Sequence, residues 1–513
     1  MGNLDSYESE LRKKLLKLAS RMRGIVDGWD LRAYVLSLLF HRFLSDDFCR
    51  YADGIIGDAP CRYADLDDSR AETLRDKIAA EKGFFILPSQ LFCNLSKTSG
   101  EPSSLCAKVA ESFRAIDASC VGGSAESVLS GLFKDVDFSS PRLGVDGVER
   151  DERIRMLIEG IEALDFQEGS LHGKDLFGDA YEYLLNMYAS NAGKSGGEFF
   201  TPNEVSELVA CLAVDGREGH IGKVYDPTCG TGSLLLEVAK RAGDGAEGYF
   251  GQEINATSYD LCRANMFLHH IPCEKTDIVL GNTLKDPGHR DEKPFDTIVS
   301  NPPFGLEWDG RRDPKLARDP RFNGPGVLAP PSKADYAFIM HMFSWLSENG
   351  RAVIIEYPGI LYRHRTEEKI RRYLVDGNYV KTVIQLPPNL FFGSRIPTCV
   401  IVLEKNRNEH DILFVDASGM FGHVNNRNTL TSEHIRRISG IVRKREDEAG
   451  VARLVGLDEV KADENRNLSV STWVCRQADD LPSLDELNAR IRETVAEEER
   501  LRNELNGLYS QIP

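Results

Sequence analysis

Apolar residues in the first third of the chain recur at the three- and four-residue spacing of helices that bury one face. Leu11, Leu15, Leu18 and Met22 form one series and Leu31, Val35, Leu38, Leu39 and Phe43 another, and no alternating run of strand type appears up to about residue 165. This predicts an all-helical domain over 1–165. The pattern then changes. Beyond a glycine-rich stretch, Asn191 to Gly197, short β-rich runs alternate with helical segments: Lys223–Asp226, Gly248–Glu253, Asp277–Leu280, Phe295–Ser300, Ala352–Glu356, Val380–Gln385 and Thr398–Leu403. Such alternation predicts an α/β domain over 166–440, a mostly parallel sheet with helices on both faces. A third pattern closes the remaining stretch, 441–513. Ser483-Leu484-Asp485-Glu486 has the form of a capping box, and Leu484, Leu487, Ile491, Leu501, Leu505, Leu508 and Ile512 follow at heptad spacing, with Thr494 and Glu498 interrupting the seam. A narrow apolar stripe of this kind predicts a C-terminal helix that docks on a partner helix or folds back on its own domain.

In an open parallel sheet ligands lie at the carboxyl ends of the strands, and two motifs stand there. Val224-Tyr225 runs into Asp226-Pro227-Thr228-Cys229-Gly230-Thr231-Gly232-Ser233, followed by the helical run Leu234 to Ala239. Gly230 and Gly232 would let the backbone pass close to a nucleoside. The turn lacks the Lys-Ser/Thr of a triphosphate loop and the third glycine of a dinucleotide fingerprint, and its acidic start suits a cationic ligand better than a pyrophosphate. Glu253, ending the next run, is placed to meet ribose hydroxyls. The second motif, Asn301-Pro302-Pro303-Phe304, follows the run Phe295–Ser300. Its chemistry suits an exocyclic amine on a nucleobase, whose lone pair is delocalised into the ring. The Asn301 side-chain carbonyl and the Pro302 backbone carbonyl could each accept one N–H, drawing the nitrogen toward tetrahedral geometry. The prolines hold these acceptors in an extended path, and Phe304 offers a flat face to an unstacked base. Read alone, the four residues equally describe a strand followed by a Pro-Pro turn.

Composition narrows the class. A chain of 513 residues is too long for one core, and its eleven cysteines are scattered without a C-x-x-C pair, so neither a zinc site nor a disulfide framework is expected. No apolar stretch approaches the ~20 residues that span a bilayer, and a cytoplasmic protein is expected. The formal net charge of −17 gives the chain no general attraction to nucleic acid. The exception is local: Leu306 to Lys333, which shows no hydrophobic period, carries Arg311, Arg312, Lys315, Arg318 and Arg321. Glu367-Glu368-Lys369 has nuclease-like spacing but lies on a helical stretch, and His269-His270 reads as a helix end, not a metal site.

Taken in order, these residues resemble the S-adenosylmethionine-dependent DNA adenine-N6 methyltransferases, and more closely the modification (M) subunits of type I restriction-modification systems. The resemblance extends over Asp175 to Leu184, Gly197 to Pro202, Gly251 to Asn255, Gly281 to Leu284, Leu386 to Phe391 and Ile396 to Cys399. It implies a Rossmann-like methyltransferase domain whose seven-stranded sheet contains one antiparallel strand. It implies that Glu198, Phe199, Phe200, Thr201, Pro202 and Asn203 form a lip over the methionine end of the cofactor, with Thr201 capping the helix that Pro202 opens. Asp226, Pro227, Gly230, Thr231, Gly232 and Ser233 would hold the methionine and sulfonium side and Glu253 the ribose, while Asn282 stands where many relatives carry an Asp that contacts the cofactor adenine. Asn301, Pro302, Pro303 and Phe304 become the catalytic residues, and Arg311, Arg312, Lys315 and Arg318 the DNA contacts. Sequence recognition would fall to a specificity (S) subunit, around which two M subunits clamp the DNA, and an endonuclease (R) subunit can be added. The same amine chemistry on RNA or a protein glutamine, or a catalytically silent scaffold, are the alternative functions.

Overall fold

The computed structural model describes residues 10–11, 13–17, 28–57, 61–97, 104–120, 125–134, 136–166, 176–191, 200–217, 219–391, 394–424, 427–474 and 484–509. Leu18, Met22, most of the glycine-rich stretch and the expected lip residues Glu198 and Phe199 lie outside them. The first part is helical, as its periodicity implies. The long helix Gly28–Ile56 buries Leu38, Leu39, Leu44 and Phe48 in one core with the helices Leu105–Ser119 and Gly147–Glu162. That core does not end at the sheet domain. Ala264 and Leu268, from the helix Ala256–Leu268 that covers the sheet, belong to it. Arg263 of the same helix donates to the carbonyls of Ser127 at 3.0 Å and Ser130 at 2.6 Å.

The sheet is built from β1 (Gly222–Asp226), β2 (Ala246–Glu253), β3 (Thr276–Leu280), β4 (Phe295–Ser300), β5 (Leu346–Glu356), β6 (Val380–Gln385), β7 (Cys399–Glu404) and β8 (Asp411–Asp416), with a short hairpin of β9 (Gly422–Val424) and β10 (Arg427–Thr429) set apart and β11 (Ala452–Gly456) returning to it. Nine strands run in the order β11-β8-β6-β7-β5-β4-β1-β2-β3. The expected seven are β1 to β7, with β7 inserted antiparallel between β5 and β6. Two strands go beyond that expectation. β8 pairs parallel to β6, and β11 pairs antiparallel to β8, so the sheet runs past the boundary expected at 440. Neighbouring side chains along the central strands face opposite cores: Tyr225 and Ile298 join the apolar layer on one face, Val224 and Val299 the layer on the other. Burial on both faces is what makes these strands read as continuous apolar runs.

Leu306–Lys333, which shows no apolar period, is ordered by scattered anchors. Trp308, Leu316 and Phe322 are buried between short 3-10 turns, and the Trp308 indole donates to the Pro330 carbonyl at 3.0 Å. Arg321, grouped in the sequence with the basic surface, is buried too. Its guanidinium donates to the carbonyls of Thr283 at 2.9 Å and Leu284 at 2.6 Å and pairs with Asp319 at 2.7 Å. Arg311, Arg312, Lys315 and Arg318 are exposed.

The helix Leu484–Tyr509 forms over the heptad stretch, and from Asp485 to Leu505 every side chain is exposed, including Leu487, Ile491, Leu501 and Leu505. Among the described side chains of this helix none is buried against the body. Ser483 and Ile512 lie outside the described residues. Truncation after Val474 should therefore leave the thermal midpoint of the remaining protein within about 2 °C of the full chain. A fall of more than about 5 °C in calorimetry would mean that the helix packs on its own domain.

Candidate active site

The parallel topology puts the ends of β1, β2 and β4 side by side, since Tyr225 pairs with both Phe250 and Ile298. Beyond those ends lies a cavity of ≈ 470 Å³. That is within the roughly 300–1,000 Å³ of pockets that enclose ligands of cofactor size. Asp226, Pro227, Gly230, Thr231, Ser233, Glu253, Asn282, Phe200, Thr201, Asn301 and Pro303 all line it. The turn after β1 and the turn after β4, 75 residues apart in sequence, thus open into one space. Pro202, Asn203, Gly232, Pro302 and Phe304 are not part of its wall.

The turn after β1 is tied down through its own carboxylates. Asp226 Oδ1 accepts the Thr228 N–H at 2.9 Å, and Glu253 accepts the Gly230 N–H at 2.9 Å and the Asn255 N–H at 2.7 Å. Burial pushes the Asp226 carboxyl up to about 7, and burial likewise raises that of Glu253. The space is therefore acidic, desolvated and able to exchange a proton against a cation. Gly232 is required for a different reason from the one its spacing implies. Its φ of +84° is in the left-handed region, and an added Cβ would come within 2.8 Å of Cys262 Sγ, behind the turn and away from the cavity. Asn282 is engaged as well: its Oδ1 accepts the N–H groups of Leu284 at 3.0 Å and Lys285 at 3.1 Å, closing the turn after β3.

At the second motif the expected cap is replaced by a more informative contact. The helix Asn203–Val214 begins with Pro202 as N-cap and no side-chain cap, because extended backbone at Pro202 sets Thr201 outside the first turn. The Thr201 hydroxyl instead accepts the Asn301 Nδ2 at 3.0 Å. Asn301 Oδ1 is left buried with no hydrogen-bond partner among the described residues. A buried acceptor in that state costs about 1–3 kcal/mol. The next residues are fixed from behind, where Gly305 N–H donates to Asp335 Oδ1 at 2.8 Å. Phe304 is 39% exposed at the mouth, edge-on to Phe391 with ring centroids 6.4 Å apart.

Several wall residues were not singled out in the sequence. Trp308, Leu316 and Phe338, with Leu284, supply an apolar side, and Lys285 pairs with Asp309 at 2.5 Å across the outer edge. Leu284 and Ile254 stand within the stretches that carry the resemblance; Ile254 is 65% exposed and lines the cavity. Among the described residues no group of three or more His, Cys, Asp or Glu is arranged to hold a metal, and His269 and His270 close the helix Ala256–Leu268. No described helix is long and apolar enough to cross a membrane.

Comparison with known proteins gives two family matches. Residues 172–480 match the N-6 DNA Methylase family and residues 11–161 the HsdM N-terminal domain. The type I restriction enzyme MpnII methylase subunit of Mycoplasma pneumoniae is 40% identical, over 98% of this chain and 96% of its own. The MjaVII methylase subunit of Methanocaldococcus jannaschii is 30% identical over 75% of this chain and 68% of its own. Among solved structures, a type I restriction-modification system methyltransferase subunit from Streptococcus thermophilus superposes with a TM-score of 0.83 at 32% identity, covering 91% of this chain and 99% of that one.

The glycine turn yields a direct test. Gly232→Ala should lose about 1–2 kcal/mol of stability from left-handed strain alone, with a further loss from the Cys262 collision that Cys262→Ala relieves. Chemical denaturation of the single and double variants measures both. Unchanged stability together with lost ligand binding would return Gly232 to a direct role in the cavity.

Proposed function

The chain belongs to the N-6 DNA Methylase family, as a type I restriction-modification methylase subunit, and from that membership we propose that its cavity binds S-adenosylmethionine and presents it to an adenine held at Asn301. The protein is a DNA adenine-N6 methyltransferase. What supports the assignment of residues is the unpartnered Asn301 carbonyl, an acceptor that the fold buries and leaves open beside an acidic cavity.

Bound in the cavity, the cofactor supplies a methyl group on a positively charged sulfur. The protein's part is to bind, orient and exclude water. Asp226 meets the methionine ammonium and Glu253 the ribose, with Phe200, Leu284 and Ile254 enclosing the apolar surface. Asn301 Oδ1 and the Pro302 carbonyl each accept one N–H of the target amine and localise its lone pair toward the methyl group. Thr201 keeps the Asn301 amide from turning its NH2 to the substrate. Phe304, exposed at the mouth, stacks on the extruded base. No strong base is required, since the amine becomes acidic only as the methyl arrives and its proton then leaves to water. Catalysis is positioning together with dipoles aimed at developing positive charge.

As a subunit of a type I system the chain works within a complex. Its own net charge is unfavourable for DNA, and the exposed helix Leu484–Tyr509 offers a seam to a helix of a specificity subunit, in the assembly of two methylase subunits around one specificity subunit. An endonuclease subunit adds restriction. Arg311, Arg312, Lys315 and Arg318 supply phosphate contacts from the rim of the cavity, in the cytoplasm where the host DNA lies.

Two measurements test this reading. In the complex with the specificity subunit, Asn301→Ala should lower methyl transfer by at least about a hundredfold, with cofactor affinity within about threefold, as read by single-base mapping of N6-methyladenine and by calorimetry. Normal methylation by Asn301→Ala would refute the assignment. The second concerns pH. Below about 7 the buried Asp226 carboxyl is protonated before the cofactor binds. Pairing with an ammonium selects the carboxylate, so binding must expel a proton there. Affinity should then fall as pH falls, approaching about tenfold per pH unit, and level off above the folded pKa. Asp226→Asn should flatten the dependence, and a flat profile in the unaltered protein would remove Asp226 from the cofactor.

A further inference from the structure

Three loops emerge together at the Asn301 end of the sheet. Ser300 of β4 pairs with Ile354 of β5, and Glu356 at the end of β5 pairs with Cys399 at the start of β7. The turn after Asn301, the turn Tyr357–Arg365 and the segment Ser394–Thr398 therefore meet the sheet at one level. Each turns a large apolar side chain to solvent: Phe304 is 39% exposed, Tyr362 49% and Ile396 52%. Exposed apolar groups gathered at one place mark a contact surface.

The middle turn is held with unusual rigidity. Arg371, fully buried, donates to the carbonyls of Ile360 at 3.0 Å and Arg363 at 2.9 Å and, from its other edge, to those of Asn465 at 2.8 Å and Arg466 at 2.9 Å. The Tyr336 hydroxyl donates to Ile360 as well, at 2.9 Å. A buried guanidinium is costly unless its donors are matched, and here all of those bonds go to main-chain carbonyls, four of them, so what it secures is the path of the turn. Arg363 then lies 3.8 Å from Asp335 Oδ2, while the other oxygen of Asp335 holds Gly305. This relay fixes Tyr362 relative to Phe304. At the end of the turn Arg365 adopts φ 67°, ψ −123°, a conformation that side-chain-bearing residues rarely take. Its side chain is exposed with no partner among the described residues, and the His364 side chain beside it is 68% exposed, 3.5 Å from Glu368. In a chain of net charge −17, this rigid turn sets Arg365, with no carboxylate partner among the described residues, next to the site, while Arg363 lies against Asp335 and Glu367 and His364 beside Glu368.

We propose that the Tyr362–Arg365 turn grips the DNA strand from which the target adenine is extruded, with the Tyr362 ring entering the space the base leaves in the stack and Arg365 and His364 contacting the flanking phosphates. Side chains inserted between bases stabilise unstacked DNA in this way, and strain at Arg365 is tolerated because Arg371 over-determines the turn. The inference rests on the methyltransferase reading above and adds a base-extruding element to it.

The test uses the complex with the specificity subunit and two duplexes, one with the target adenine paired to thymine and one with it unpaired opposite an abasic site, where extrusion costs less. Tyr362→Ala, at an exposed position, should slow methylation of the paired target by roughly tenfold to a hundredfold, the loss of one base–aromatic stack. It should methylate the unpaired target within about threefold of the unaltered enzyme, because extrusion there needs less help from an inserted ring, and Tyr362→Phe should restore the paired rate. Arg365→Ala should weaken DNA binding regardless of sequence and reduce the log–log salt slope by about one unit. Equal loss on both duplexes, or no loss on the paired one, would overturn the role of Tyr362. An unaltered complex that methylates neither duplex would overturn the underlying reading, and the grip with it.

Discussion

A buried carbonyl oxygen without a donor is unstable on its own, and the site is organised around one. Asn301 Oδ1 has no hydrogen-bond partner among the described residues, while Thr201 holds the amide nitrogen and Asp335 holds the backbone beyond the prolines. On the proposed reading, the penalty of about 1–3 kcal/mol is relieved when an amine enters, so that binding energy falls at the reacting nitrogen. A side chain free to rotate would satisfy itself and lose that bias. The sheet topology makes the arrangement possible, since only adjacent parallel strands bring the turns after β1 and β4 to a common cavity.

The same logic extends outward in layers. Asp226 and Glu253 brace the glycine turn through its N–H groups and leave the cavity acidic. Arg321 fastens the loop that forms the outer wall to the carbonyls of Thr283 and Leu284, residues that line the cavity from the other side. Arg371 does the equivalent for the turn that carries Tyr362. Two buried guanidinium groups thus stiffen the rim by hydrogen-bonding main-chain carbonyls, a use for which Arg, with its rigid fork of donors, is better suited than Lys.

The parts legible from sequence were those that depend on local pattern. β1 to β7 are apolar runs set apart by helices or by longer polar loops, and the Asp226 and Asn301 motifs stand at strand ends where chemistry is expected. β8, although as apolar as its neighbours, follows β7 after a few residues with no helix between, and β11 lies beyond the last alternating segment. The partnership of Thr201 with Asn301 spans 100 residues, so local spacing assigned Thr201 to a helix cap. Arg321 has the composition of a surface cation and became a buried clasp because Trp308, Leu316 and Phe322 fold the loop around it. The close approach of Cys262 to Gly232 is likewise a contact that only the packed helix creates. In each case the missing information was a long-range contact, not a residue type.

A structure of the complex bound to DNA and a non-transferring cofactor analogue tests the role of Asn301 Oδ1 most directly. The exocyclic nitrogen of the target adenine is expected within hydrogen-bonding distance of both Asn301 Oδ1 and the Pro302 carbonyl, with Asn301 Nδ2 still on Thr201. An adenine bound elsewhere, or an Asn301 amide turned so that Nδ2 faces the base, would contradict it.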